Sequence, residues 1–129
     1  MKKKIAFIIN PISGNNPKKD FPKIITKHLD ASIFDAEIVF TKYRFHGRTL
    51  TEQFVKSGYY AVIAVGGDGT VNEVASSLRH TDTALGIIPT GSGNGLARHL
   101  KIPINIKKAI EHLNDSETIL IDYGLVNEQ

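Results

Sequence analysis

Cysteine is absent from the 129-residue chain, which excludes disulfides, a thiolate metal site and a thiol nucleophile. A cysteine-free composition fits a cytoplasmic protein. Also missing is any apolar run near the roughly 18–20 residues needed to cross a bilayer. The start, Met1 to Lys4 followed by Ile5 to Ile9, is basic and then apolar, but Asn10-Pro11 interrupts it without a small-residue cleavage site. It reads as a first strand rather than a signal peptide. A strong charge of either sign is lacking too, since sixteen basic residues against thirteen acidic ones leave only +3. That balance suits an anionic ligand or an anionic surface and is too weak to argue for nucleic acid. The clusters Lys2 to Lys4 and Lys18-Lys19 read as solvated surface. No repeat, low-complexity tract or linker divides the chain, and its length fits one domain.

What is present is an alternation of apolar runs and helical patterns, in a composition 41% hydrophobic. Lys4 to Ile9 reads as a buried strand, and Glu37 to Thr41 as a second. Tyr60 to Val65 is almost continuously apolar, as a parallel strand covered on both faces should be. Ala84 to Ile88 and Thr118 to Tyr123 read as a fourth and a fifth strand. Between them, Asp20 to Leu29 places Phe21, Ile24, Ile25, His28 and Leu29 on one helical face, with Asp20 as N-cap and Pro22 in the first turn. A second helix covers about Arg48 to Ser57 and carries Leu50, Phe54 and Val55, with Gly58 closing it. Thr70 and Glu73 have capping-box spacing and predict the start of a third helix, with Val71, Val74, Ala75 and Leu78 inward. A short helix is expected over Asn94 to Leu100, and another, capped by Asn105, with Ile106, Ala109, Ile110 and Leu113 inward.

This order predicts an α/β fold, a parallel sheet between two layers of helices. The fifth strand has hardly ended when the sequence stops at Asn127-Glu128-Gln129. The expectation is a domain taken from a longer protein, whose open edge at strand five would favour self-association into a homo-oligomer.

In open α/β sheets, ligands bind beyond the carboxyl ends of the strands. Three of those ends carry conspicuous loops: Asn10-Pro11-Ile12-Ser13-Gly14, Gly66-Gly67-Asp68-Gly69-Thr70 and Pro89-Thr90-Gly91-Ser92-Gly93-Asn94-Gly95. Six of the eleven glycines lie in the last two, a concentration that points to a purpose. Glycine can take positive φ and lets the backbone approach a phosphate, whose charge is met by successive N–H groups and by the following helix dipole. A carboxylate in such a loop would repel phosphate unless a cation lay between them, so Asp68 suggests Mg2+. The alternative for Asp68 is a turn residue bonding its own backbone. Neither the G-x-x-x-x-G-K-[ST] fingerprint nor a well-placed G-x-G-x-x-G is present.

Taken together, NPISG at 10–14, GGDGTVNEV at 66–74 and PTGSGNGLAR at 89–98 resemble the catalytic domain of the diacylglycerol kinase, sphingosine kinase and bacterial lipid kinase superfamily. GGDGT alone is shared with NAD kinases and phosphofructokinase-like enzymes, and the other two loops turn the resemblance toward the lipid kinases. The resemblance covers the whole chain, 1–129, as the nucleotide-binding domain of a two-domain protein. It implies a phosphofructokinase-like N-terminal domain and transfer of the γ-phosphoryl of ATP to a lipid hydroxyl at a membrane surface, with peripheral contact.

By position, the resemblance puts Asn10, Ser13, Gly14 and Thr41 near the nucleotide. It implies that Gly66, Gly67, Asp68, Gly69 and Thr70 hold phosphates and Mg2+, with Glu73 behind them, and that Gly91, Ser92 and Asn94 lie between nucleotide and acceptor. Asp122 matches a family aspartate at the junction with the second domain and would be a further metal ligand. Many bacterial relatives have Asp-Phe where this chain has Gly95-Leu96, which leaves the acceptor open. The family's second domain, a β-sandwich that supplies further carboxylates, is absent from this chain, and the general base is expected there. His46 is expected in a loop or capping role. Two alternatives stand beside the lipid kinase: an NAD kinase-like enzyme with a soluble acceptor, and a non-catalytic nucleotide-binding module.

Overall fold

The run Ile5 to Ile9 loses all contact with water because its strand, β1 (Lys3–Ile9), lies inside a four-stranded parallel sheet. The computed structural model describes residues 2–11, 20–89 and 106–114. β2 (Phe34–Phe40) and β3 (Ala61–Gly66) flank β1, and β4 (Ala84–Pro89) flanks β3, giving the order β2-β1-β3-β4. The register sets Ile5 opposite Ala36 and Ala61, and Ile9 opposite Phe40 and Val65. β3 is buried at every residue, as its apolar run predicts for a strand with neighbours on both sides.

Parallel neighbours cannot be joined by hairpins, so each connection is a crossover, and crossovers are right-handed. The helix α1 (Phe21–His28) leads outward from β1 to β2, while α2 (His46–Lys56) and α3 (Asp68–Leu78) lead in the opposite direction across the sheet. The handedness rule therefore assigns α1 to one face and α2 with α3 to the other. Contacts agree: α2 packs on α3, and α1 packs on α4 (Ile106–Leu113), which also touches β4. Phe21 and Ile25 of α1, Val71, Val74, Ala75 and Leu78 of α3, and Ala109, Ile110 and Leu113 of α4 are the buried helix residues that the spacing predicts.

Three expectations change. β2 begins at Phe34 rather than Glu37, because Phe34 is buried and pairs with Lys3, while exposed Asp35 and Glu37 disguise the strand. Those two carboxylates lie on the flank of the described sheet, where charge discourages further strand pairing. Asp20 does occupy the N-cap position of α1, but its side chain makes no capping bond. The largest change is in α3. Its capping box is not formed, since the helix starts at Asp68 with Gly67 as N-cap and Val71 N–H bonds to Gly67 C=O at 3.1 Å. Thr70 is thus already inside the helix and buried. The expected helix over 94–100, the Asn105 cap and the strand over 118–123 lie outside the described residues.

One tie between distant segments was not anticipated. Asp30 N–H donates to Asn114 Oδ1 at 2.8 Å, and Asn114 Nδ2 donates to His28 C=O at 3.1 Å. A single amide thus satisfies backbone groups at the end of α1 from the end of α4, which joins those two helices. Asn114→Ala is expected to cost about 1–3 kcal/mol, since it strands a partly buried donor and acceptor at once. Urea denaturation checks this; an unchanged midpoint would mean that water replaces the amide without loss.

Candidate functional site

The strand order creates one place where neighbouring strands send their chains opposite ways. From β1 the chain crosses toward β2, and from β3 it crosses toward β4, so the carboxyl ends of β1 and β3 diverge. Such a switch point is where open α/β sheets bind ligands. The two ends are held together as they part, because Asn10 N–H donates to Val65 C=O at 3.2 Å.

Above this point is a cleft of about 320 Å³. β1 contributes Asn10 and Pro11, the segment after β2 contributes Thr41 to Arg44, and α3 contributes Thr70 and Glu73. Thr41 is placed by its backbone, whose N–H extends the β1 ladder to Ile9 C=O at 2.8 Å. Its hydroxyl is 3.5 Å from the same oxygen, too far for a strong bond. Gly66 ends β3 as a buried residue paired with Pro89. Asp68 and Gly69 then form the exposed first turn of α3, with an acidic side chain at the positive end of the helix dipole.

The glycines of this turn behave differently from expectation. Gly67 is extended, with φ −91° and ψ −164°, and the positive-φ glycine among the described residues is Gly58, which closes α2. A Cβ built on Gly67 or Gly69 would meet no described atom within 4 Å. Neither backbone strain nor packing calls for glycine at these positions. What the missing side chains provide is open space beside the N–H groups of a helix start, the property an anion needs.

Glu73 is tied to α2. Gly47 N–H donates to Glu73 Oε1 at 3.1 Å, and a Cβ on Gly47 would come within 2.9 Å of that oxygen. Thr51, fully buried, donates its hydroxyl to Gly47 C=O at 2.6 Å and steadies the same turn. The carboxylate that was expected to cap its own helix instead caps the neighbouring one, which leaves it lining the cleft.

Asn10, Thr41, Thr70 and Glu73 therefore meet on one cleft, with Gly67, Asp68 and Gly69 at the helix start beside it. Ser13, Gly14, Gly91, Ser92, Asn94 and Asp122 lie outside the described residues. Lys42, Tyr43 and Arg44 line the cleft without having been singled out in the sequence. Their position directly after Thr41 at a strand end was the available signal. His46 begins α2 and accepts a hydrogen bond from Lys42 N–H, the loop role expected of it.

Among the described residues no three His, Asp or Glu side chains converge to cage a metal ion. Mg2+ does not require such a cage, since it commonly takes one or two carboxylates and completes its shell with phosphate oxygens and water. An exposed Asp68 at the start of α3 fits that mode.

Comparison with known proteins identifies the family. The chain is 32% identical over 132 residues to a diacylglycerol kinase of Staphylococcus haemolyticus, covering 100% of this chain and 40% of the relative. It is 31% identical to a diacylglycerol kinase of Staphylococcus saprophyticus, with 100% and 43% covered. The crystal structure of a diacylglycerol kinase from Bacillus anthracis superposes with a TM-score of 0.79 at 30% identity, over 89% of this chain and 40% of that one. The chain thus spans less than half the length of these relatives. Residues 4–126 match the diacylglycerol kinase catalytic domain, and the chain belongs to that family.

Proposed function

We propose that this chain is the nucleotide-binding part of an ATP-dependent lipid kinase, which transfers the γ-phosphoryl of ATP to a diacylglycerol-like or sphingoid-like hydroxyl. The observation that carries this reading is the Gly67-Asp68-Gly69 turn at the switch point, where nothing described in the fold requires glycine. Phosphoryl transfer needs chiefly positioning and neutralisation of charge. The N–H groups at the start of α3 would receive phosphate oxygens, and Asp68 would hold Mg2+ against them. Bound there, Mg2+ would neutralise charge on the phosphates. Asn10 and Thr41 would orient the nucleotide from the β1 and β2 ends. The partner is a lipid at a membrane surface, met peripherally by a cytoplasmic protein. No described helix is long and apolar enough to cross a membrane.

The test uses the full-length gene product with γ-labelled ATP and Mg2+, offered total lipid extract and NAD in parallel. Label in the organic phase supports the lipid kinase. Label in NADP would move the protein to a soluble acceptor, and no label in either would favour a binding module. The 129-residue chain alone is expected to bind ATP without turnover, because the general base is assigned to the part of the relatives it does not span.

Gly69→Ala separates the fold from the site. Alanine in the first turn of α3 meets no described atom and is expected to stabilise the helix by about 0.5–1 kcal/mol. The same methyl would obstruct a phosphate, and losing a charge-assisted hydrogen bond should weaken ATP binding roughly ten-fold or more. Calorimetry reads both effects; a variant that binds ATP as tightly as the parent would remove phosphate from this turn.

A further inference from the structure

The segment between β2 and α2 is more elaborate than a connection needs. Residues Tyr43 to His46 make a turn closed by His46 N–H to Tyr43 C=O at 3.1 Å. Its third residue, Phe45, has φ 67°, a left-handed conformation that such turns normally assign to glycine. The guanidinium groups of Arg44 and Arg48 lie over the Phe45 ring, at 4.7 and 4.6 Å from its centre, and help to hold it. The turn brings Tyr43 and His46 face to face, with ring centres 4.2 Å apart and planes 17° from parallel. The imidazole is fixed in turn, because Lys42 N–H donates to its Nδ1 at 2.9 Å.

We infer that Tyr43, backed by His46, is the platform on which the nucleotide base stacks; this rests on the nucleotide reading of the cleft. Tyr43 lines the cleft, whereas His46, stacked on its ring, is not among the lining residues. Tyr43 remains 61% exposed as a residue even with His46 stacked against its ring. An open aromatic face beside a turn suited to phosphates is the chemistry of a nucleoside triphosphate, with the base at one end and the charged chain at the other. Stacking is indifferent to the base edge, so the platform accepts any purine and adds affinity rather than strict selection. Tyr43 is here a binding residue, and His46 is a positioning residue that acts through it.

The experiment compares ATP with inorganic tripolyphosphate, which has the charge and no base, by calorimetry on the full-length protein with Mg2+. Tyr43→Ala is expected to weaken ATP roughly ten-fold while leaving tripolyphosphate unchanged. Tyr43→Phe should bind both like the parent. His46→Ala should show a smaller loss, again for ATP alone, and a raised KM for ATP with kcat retained. Equal losses for both ligands in Tyr43→Ala, or no loss for ATP, would overturn the platform while the phosphate site stands. A parent protein that binds neither ligand would overturn the nucleotide reading and the platform with it.

Discussion

Asp68→Asn in the full-length protein is expected to lower phosphoryl transfer by at least about 10²-fold, the scale on which loss of one preorganised electrostatic group acts at a reacting phosphate. The substitution keeps the size of the side chain and removes its charge. Asp68 is exposed in the first turn of α3, so the cost to folding is small. An acidic group at a helix start contributes about 0.3–1 kcal/mol through the dipole, which asparagine gives up. Activity should therefore collapse while the melting temperature falls by a few degrees at most. Label transfer to lipid and thermal denaturation, run on the same preparation, measure the two quantities. If transfer survives, Asp68 is only a turn residue and the charge balance of the site must come from elsewhere.

Phe7→Ala has the opposite signature, a severe loss of stability from a core residue that does not line the cleft. Phe7 is fully buried in β1, opposite Ile38 of β2 and Ile63 of β3. Truncation in a core of this kind costs about 3–5 kcal/mol, part of it for the cavity left behind. Against a total of roughly 5–15 kcal/mol for a folded domain, that is a large fraction. The urea midpoint followed by circular dichroism should drop accordingly. Ile38→Ala serves as the comparison, because Ile38 is only partly buried and water can enter as the side chain is removed. Equal losses from the two variants would mean that β2 is as much a part of the core as β1.

Much of this organisation is legible locally. The strands at Ile5 to Ile9 and Ala61 to Val65 announce themselves because a strand covered on both faces must be apolar throughout. Tyr60, read as the start of the second run, lies just before β3 and is exposed. Where one side of the sheet meets solvent, the signal weakens. Asp35 and Glu37 hid the start of β2, although Phe34 is as buried as any core residue. The capping box failed for a related reason. Threonine and glutamate three residues apart announce that two groups can reach a helix start, but not that a better donor is absent. Here the N–H of Gly47, twenty-six residues away in sequence, takes the Glu73 carboxylate. Positive φ, the reason the sequence suggests for glycine in this loop, does not apply to Gly67 or Gly69, which instead leave open space at the start of α3.

Composition, spacing and turn chemistry by themselves determined the α/β alternation and the inward faces of the helices. Each of those depends on neighbours within a few residues, where periodicity and side-chain type act directly. Only the tertiary structure decided that β1 and β3 lie side by side, that Glu73 serves α2, and that Tyr43 stands at the rim of the same cleft as Thr70. A parallel crossover has a preferred hand but no locally encoded destination. Strand order is chosen by which arrangement buries the most apolar surface, and the cleft lies where that order reverses.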